Sequence, residues 1–294
     1  MYSERLWKWR LIKEKYSNQA NSLNARTSCW GFSRWADAML RRDLLDDDHC
    51  QGVSFSITDE DALARAIALV LVQEFKLAKA TLSGEPVEDD YPSLDADEIE
   101  DIVSRRLRTS DVYHRDGFLF QLMMWLAAHL DLEEGDLVAL PHSQASGKGQ
   151  DSIVVHRAGD SVVALSICED KATENPRTTV REDVWPEIKD YEDGGRKDEL
   201  RSNIIATLGL GGVPADEATR LVRRISWEDA RRYRVRVTIK KNRTRRLFKD
   251  FETIVTGECD RRRGETVHLP RLRAWMTRLA GKVEAELRTY AEEE

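Results

Sequence analysis

The sequence lacks the long apolar segments that a membrane span requires. Its longest apolar stretches, residues 66–75 and 118–130, fall short of the roughly 18–20 residues that cross a bilayer. Residues 1–16 alternate tryptophan, lysine and arginine without the apolar centre of a signal peptide. These absences predict a soluble, cytoplasmic protein.

Cysteine is scarce, and the phosphate-binding glycine motifs are missing. The four cysteines have no paired spacing, which argues against a disulfide framework and a structural zinc site. Neither a P-loop nor a Gly-x-Gly-x-x-Gly motif occurs; residues 146–149 contain glycine and lysine but lack the P-loop spacing. The six histidines have no metal-ligand spacing.

Charge is plentiful but unevenly distributed. The 294 residues are 34% charged with a formal net charge of −7, which would ordinarily disfavour nucleic-acid binding. Residues 85–101 contain nine acids and no base, whereas residues 231–249 contain ten bases and no acid. We interpret the acidic run as an exposed linker that leads into a short helix; the alternative is that it screens a basic groove or docks on a partner.

The basic run alternates basic and apolar residues over 232–240, as a half-exposed strand does. A turn near Asn242 and a returning strand over 247–255 would complete a basic hairpin. Such a patch favours a nucleic-acid backbone, and the alternative is an edge strand protected by its charges. The candidate nucleic-acid contacts here are Arg232, Arg234, Arg236, Lys240, Lys241, Arg243, Arg245 and Arg246.

A second hairpin carries the most specific chemical signal. Residues 149–156 and 161–171 are rich in β-branched side chains and flank a turn at Gly159-Asp160. This pattern predicts two antiparallel strands joined by a tight turn.

The predicted hairpin gathers charged side chains at its open end. Asp151 would lie near Glu169, and strand alternation places Glu169 and Lys171 on one face with Asp170 on the other. Two carboxylates suit Mg²⁺, with Mn²⁺ as the alternative ion, and a lysine can orient water or stabilise developing negative charge. The alternative interpretation is a solvated hairpin edge.

Asp151 followed by Glu169-Asp170-Lys171 resembles the PD-(D/E)xK signature of restriction-endonuclease-like nucleases, although Gln150 stands in place of the proline. The resemblance implies a metal-dependent nuclease in which Asp151 and Glu169 hold the metal and Lys171 assists the water. It also implies a core of helix, three strands, helix and strand. The matching segments are residues 116–130, 136–140, the hairpin, 178–208 with a break near 193–195, and 232–240.

Further residues become auxiliary candidates through this resemblance. Gln121 lies on the first core helix, and residues 187–191 resemble a Gln-x-x-x-Tyr pattern with glutamate in the first position. Asp116 is interpreted as a helix N-cap. The auxiliary candidates are Gln121, His142 at the end of the first core strand, Glu187, Lys189 and Tyr191. Lys148, in the loop that leads into the hairpin, is a further candidate nucleic-acid contact.

The predicted fold class is therefore α/β. A helical N-terminal region over 1–110, with the acidic linker at 85–101, would precede a nuclease-like domain over 111–294 that ends in the basic hairpin and an amphipathic helix. The expected substrate is DNA rather than RNA. The resemblance implies an effector of a restriction or anti-phage defence module, with an ATPase, helicase or sensor partner. The sequence leaves open whether the chain forms a homo-oligomer. The alternatives are a non-catalytic binding subunit and a nuclease active only within a multi-subunit complex.

Overall fold

Seven strands form one mixed sheet in the computed structural model, which describes residues 39–45, 47–83, 93–141, 150–240 and 246–291. The order across the sheet is β1-β2-β7-β6-β5-β4-β3. The strands are β1 (Leu40–Leu45), β2 (Gln51–Ile57), β3 (Leu137–Val138), β4 (Ser152–Ala158), β5 (Ser161–Lys171), β6 (Arg231–Ile239) and β7 (Arg262–His268).

The centre of the sheet is parallel and its two sides are antiparallel. Strands β5, β6, β7 and β2 pair in parallel, whereas β3, β4 and β5 form an antiparallel meander and β1 pairs antiparallel with β2. Parallel strands are usually covered by helices on both faces, and helices cover both faces here. The α/β class predicted from the sequence is confirmed.

The hairpin predicted at 149–171 forms as β4 and β5. Gly159 takes a positive φ of 57° at the turn, a conformation that glycine adopts without the steric cost that a side chain adds. The register pairs Ser152 with Cys168, and therefore brings residue 151 level with residue 169.

Two helical layers cover the sheet. The helices are α1 (Glu60–Leu71), α2 (Phe75–Ser83), α3 (Ala96–Arg106), α4 (Val112–Ala128), α5 (Pro176–Thr179), α6 (Trp185–Glu192), α7 (Lys197–Leu210), α8 (Ala215–Arg223), α9 (Trp227–Ala230), α10 (Phe251–Ile254) and α11 (Leu272–Arg288). One core joins α1, α4 and α11 on one face of the sheet; residues 180–184 and helices α6, α7 and α8 form the other core on the opposite face. Among the described helices, none is long and apolar enough to cross a membrane.

Helix α4 is the buried helix predicted at 116–130, but it begins earlier. The Asp111 carboxylate accepts hydrogen bonds from the backbone N–H groups of Tyr113 and His114 and thereby caps the helix. The predicted N-cap, Asp116, is wrong: its side chain is buried within the second turn and accepts from two arginines. From residue 118 to 128 only position 121 is partly exposed.

The helical segment predicted over 178–208 is also confirmed with its break. Helix α5 continues through a π-helical turn, Val180–Val184, into α6. The chain then turns at Gly194, whose φ is 84°, before α7 begins. This layer places one side of α6 over the end of β5.

The predicted helical character of the N-terminal region is wrong for residues 40–45 and 51–57. These residues form β1 and β2, which join the same sheet as β3 to β7. The sheet and the core beneath α4 therefore both combine elements from the two predicted domains, 1–110 and 111–294. Helix α3 begins at Ala96, within the second half of the acidic run, as expected, while residues 1–38 and 84–92 lie outside the described part of the chain.

The predicted C-terminal basic hairpin is wrong as well. Strand β6 is already paired on both edges, with β5 and with β7, so no edge remains for a returning strand. Residues 246–250 instead turn into the short helix α10, and the Phe248 ring packs against β7 where Gly264 has no side chain. The amphipathic C-terminal helix forms as α11.

Candidate functional site

The open end of the β4–β5 hairpin brings Asp151, Glu169 and Lys171 together. The Asp151 backbone N–H donates to the carbonyl of Cys168 at 3.1 Å and continues the ladder past the end of β4. Lys171 Nζ lies 3.0 Å from Glu169 Oε2 and 3.8 Å from Asp151 Oδ2. The grouping predicted from strand alternation is present in the structure.

A third carboxylate reaches the same ammonium from α6. Glu187 Oε2 lies 3.5 Å from Lys171 Nζ, so one lysine faces three carboxylates. With all four groups ionised the cluster carries a net charge of −2, most of it shielded from water. Like charges this close raise one another's free energy, and additional positive charge would lower it.

Asp151 is held in a fixed orientation by two donors. Its Oδ2 accepts the Asp170 backbone N–H at 2.6 Å, and its Oδ1 accepts the side-chain amide of Gln121 from α4. The auxiliary candidate Gln121 therefore contacts the first acid directly. Burial raises the pKa of Asp151 above its usual range, and the Lys171 charge opposes that rise.

Glu169 is the most deeply buried member of the cluster. Its side chain is 1% exposed, and its Oε1 has no hydrogen-bond partner within the described residues. Burial and then the Asp151 charge raise the pKa of Glu169 well above its usual value. Burial alone would lower the pKa of Lys171, but Glu169, Asp151 and Glu187 together hold that pKa above its ordinary value.

Tyr191 contacts Gln150, the residue before Asp151, rather than the carboxylate cluster itself. It is buried, and its hydroxyl donates to Gln150 Oε1 at 3.0 Å, which fixes the residue before Asp151. Lys189 is exposed, and its position two residues after Glu187, roughly 200° around the helix, directs it away from the cluster. His142 and Lys148 lie outside the described residues.

The predicted stripe of basic phosphate contacts on β6 is wrong at its centre. Arg236 is completely buried and forms a two-pronged ion pair with Asp170. Arg234 is buried as well and bonds both Glu265 and Asp131. Strand β6 lies in the middle of the sheet beneath α4, where arginine is tolerated because buried carboxylates pair with it.

The other predicted basic residues that the structure describes are at least partly exposed. Arg232 is 39% exposed and lies 3.2 Å from Asp260, and Lys240 lies 3.4 Å from Glu174. Arg246 is exposed. The remaining members lie outside the described residues: Lys241, Arg243 and Arg245.

One polar chain was missed from the sequence. His156 Nδ1 lies 2.8 Å from Asp136 Oδ2, and its Nε2 lies 2.8 Å from Ser166 Oγ. Ser166 is buried in the middle of β5, so we assign the chain a structural role that ties β4 to β5 and to the start of β3. Sequence spacing offers no signal for it, since the three residues meet only through the sheet register.

The donor set at the hairpin suits a hard divalent cation. Within the described residues, no three histidine, cysteine or acidic side chains are arranged as a complete metal site. Mg²⁺ usually needs only one or two carboxylates, with water and substrate phosphate as the other ligands. Asp151 and the unpaired Oε1 of Glu169 meet that requirement, and the cluster has an excess of negative charge that a cation would offset.

Comparison with known proteins adds no relative to this picture. No model of a protein family matches the sequence, and no curated protein matches it either. The chemistry of the hairpin site therefore rests on the residues and their geometry.

Proposed function

We propose that the protein is a metal-dependent nuclease of the PD-(D/E)xK type that hydrolyses phosphodiester bonds in DNA. The observation that carries the proposal is the hairpin site, where Asp151, Glu169 and Lys171 converge and a buried carboxylate oxygen of Glu169 has no hydrogen-bond partner among the residues that the structure describes.

The arrangement of elements around the site supports the same proposal. Helix α4, the meander β3–β4–β5, the helices α5 to α9, and strand β6 follow one another along the chain, and β6 pairs in parallel with β5. This is the order of helix, three strands, helix and strand that the sequence resemblance implies. The other strands, β1, β2 and β7, extend the sheet beyond β6.

The residues divide the chemistry between them. Asp151 and Glu169 would hold Mg²⁺ or Mn²⁺, and Gln121 orients Asp151. When bound, a divalent cation supplies positive charge that makes a water more acidic and polarises the phosphoryl group. Lys171, kept protonated by the surrounding carboxylates, orients the attacking water and stabilises charge that develops on the phosphate.

A role as effector in a restriction or anti-phage defence module, under the control of an ATPase, helicase or sensor partner, follows from the resemblance alone. It belongs to the proposal as the biological context. A nuclease that is silent in isolation and cuts DNA only within a multi-subunit complex is the alternative; it predicts cutting only when such a partner is added.

Cleavage of supercoiled, linear and single-stranded DNA with Mg²⁺, Mn²⁺ or EDTA tests the reaction. Asp151→Ala and Lys171→Ala should abolish metal-dependent cutting, while Lys189→Ala, an exposed lysine on α6, is the matched control. Cutting that survives both site variants would contradict the site assignment. Salt-sensitive DNA binding without cutting, unchanged by either variant, would favour a non-catalytic binding subunit.

A further inference from the structure

An exposed tyrosine and a fixed arginine lie together at the start of α4. Tyr113 is 67% exposed in the first turn of the helix, and the Arg273 guanidinium of α11 lies 4.4 Å from the centre of its ring. Guanidinium groups stack favourably on aromatic faces. Stacking on one side leaves the other face of the ring for a ligand.

The arginine is held in place from below. Arg273 Nη1 donates to Asp116 Oδ2 at 2.6 Å, and Arg115 donates to the other oxygen of the same carboxylate at 2.8 and 3.0 Å. Asp116 is fully buried. Two guanidinium groups share one carboxylate, so the cluster beneath Tyr113 keeps one unit of positive charge.

This cluster lies near the hairpin site. Arg273 Nη2 is 3.4 Å from the carbonyl oxygen of Ala172, the residue that follows Lys171. On α4, Gln121 contacts Asp151 and is eight residues from Tyr113, about 12 Å along the helix axis. At about 3.4 Å per nucleotide along a stacked strand, the two points are only a few nucleotides apart.

We propose that Tyr113 and Arg273 form a stacking platform for an unpaired nucleobase that flanks the phosphate cleaved at the hairpin site. The proposal rests on the proposed nuclease function and adds a preference for single-stranded DNA or frayed ends. A base inside a duplex already stacks on its neighbours, whereas an unpaired base has a free face, and a positively charged aromatic surface binds it without regard to sequence.

Binding to two matched oligonucleotides tests the platform independently of cleavage. The Asp151→Asn chain, which should not cut, is titrated into labelled twelve-nucleotide thymidylate and into the same strand with abasic sites, with fluorescence anisotropy as the readout. Tyr113→Ala in that background should weaken binding to the thymidylate about tenfold and leave binding to the abasic strand unchanged. Tyr113→Trp should restore the tighter binding of the thymidylate relative to the abasic strand. His114→Ala changes an exposed neighbour and should leave that preference intact.

Equal affinity for both strands in the Asp151→Asn chain, or an equal loss on both strands in Tyr113→Ala, would overturn the platform. Failure of the nuclease is distinguishable, because it would appear as an absence of metal-dependent cutting in the wild type while the base-dependent binding persists. If the wild type cuts DNA and Tyr113→Ala cuts single-stranded ends at the same rate, the platform is overturned while the nuclease function stands.

Discussion

Two adjacent carboxylates on β5 are buried to a similar degree but have different partners. Asp170 points toward α4, and both of its oxygens accept from Arg236, whose third nitrogen donates to the carbonyl of Met124 at 2.8 Å. Glu169 points toward α6 and shares a single lysine with Asp151 and Glu187. One side of the strand holds a completed ion pair and the other a cluster with excess negative charge.

The difference separates structural from functional charge. A buried charge is tolerated when a partner and hydrogen bonds replace the water it lost, and Asp170 meets that condition within the protein. Glu169 meets it only in part, because one of its oxygens is left without a hydrogen-bond partner within the described residues. We infer that the burial of Asp170 is compensated within the sheet, whereas an ionised Glu169 carries a net cost in folding free energy.

Breaking the completed pair should have the largest effect on folding. Arg236→Ala leaves the Asp170 carboxylate buried without its partner, and we expect a loss of about 3–5 kcal/mol in the free energy of unfolding. Urea denaturation measures it. The double variant Arg236→Met/Asp170→Leu, which removes both charges, should recover part of the loss. A loss below about 1 kcal/mol in Arg236→Ala would show that water or another cation reaches Asp170.

The matched substitution on the other face of β5, Glu169→Gln, should lower activity without lowering stability. Glu169→Gln removes one of three crowded carboxylates, so the unfolding free energy should stay equal or rise. DNA cleavage should fall by at least about a hundredfold, the scale of losing one preorganised electrostatic group. Denaturation and a plasmid cleavage assay on the same preparation give both numbers. A destabilisation as large as that of Arg236→Ala would mean that Glu169 is a structural residue.

The sequence predicted this contrast only on the hairpin side. The β-branched segments, the turn at Gly159 and strand alternation were enough to place Asp151, Glu169 and Lys171 together, since all three follow from one local hairpin register. Arg234 and Arg236 were misplaced because their burial depends on β6 lying between β5 and β7. The strand order depends on contacts between distant parts of the chain. Alternation of basic and apolar residues is the same in a half-exposed strand and in a central strand whose arginines form buried ion pairs, so it cannot distinguish them.

The same limit explains the errors at both ends of the chain. Strand β2 pairs with β7, more than 200 residues away, and β1 pairs in turn with β2; local periodicity in the sequence cannot reveal the distant pairing. Helix α10 replaced the predicted returning strand because no free edge of β6 remained. Gln121 and Tyr191 were found through the resemblance, but their contacts with Asp151 and Gln150 became visible only in three dimensions.

A divalent cation should stabilise the protein through the carboxylate cluster around Glu169. Ligand bound only to the native state raises the unfolding free energy by about 1.4 kcal/mol at ten times its Kd and about 2.7 kcal/mol at a hundred times. We expect MgCl₂ to raise the unfolding temperature of the wild type and of Lys189→Ala. The shift should vanish in Asp151→Asn and Glu169→Gln. NaCl at matched ionic strength is the control, and an equal shift with NaCl would indicate screening rather than binding.

The smallest expected effect separates two buried tyrosines on the same side of the sheet. The Tyr191 hydroxyl donates to Gln150 beside Asp151, and the Tyr233 hydroxyl donates to Glu192 Oε1 at 2.7 Å. Each change to phenylalanine removes one hydrogen bond and should cost about 1 kcal/mol of unfolding free energy. Only Tyr191→Phe should also slow DNA cleavage, because Gln150 precedes Asp151 and its position sets that of the carboxylate. Equal cleavage rates for the two variants, at equal stability, would show that Asp151 is positioned by Gln121 and the backbone of Asp170 alone.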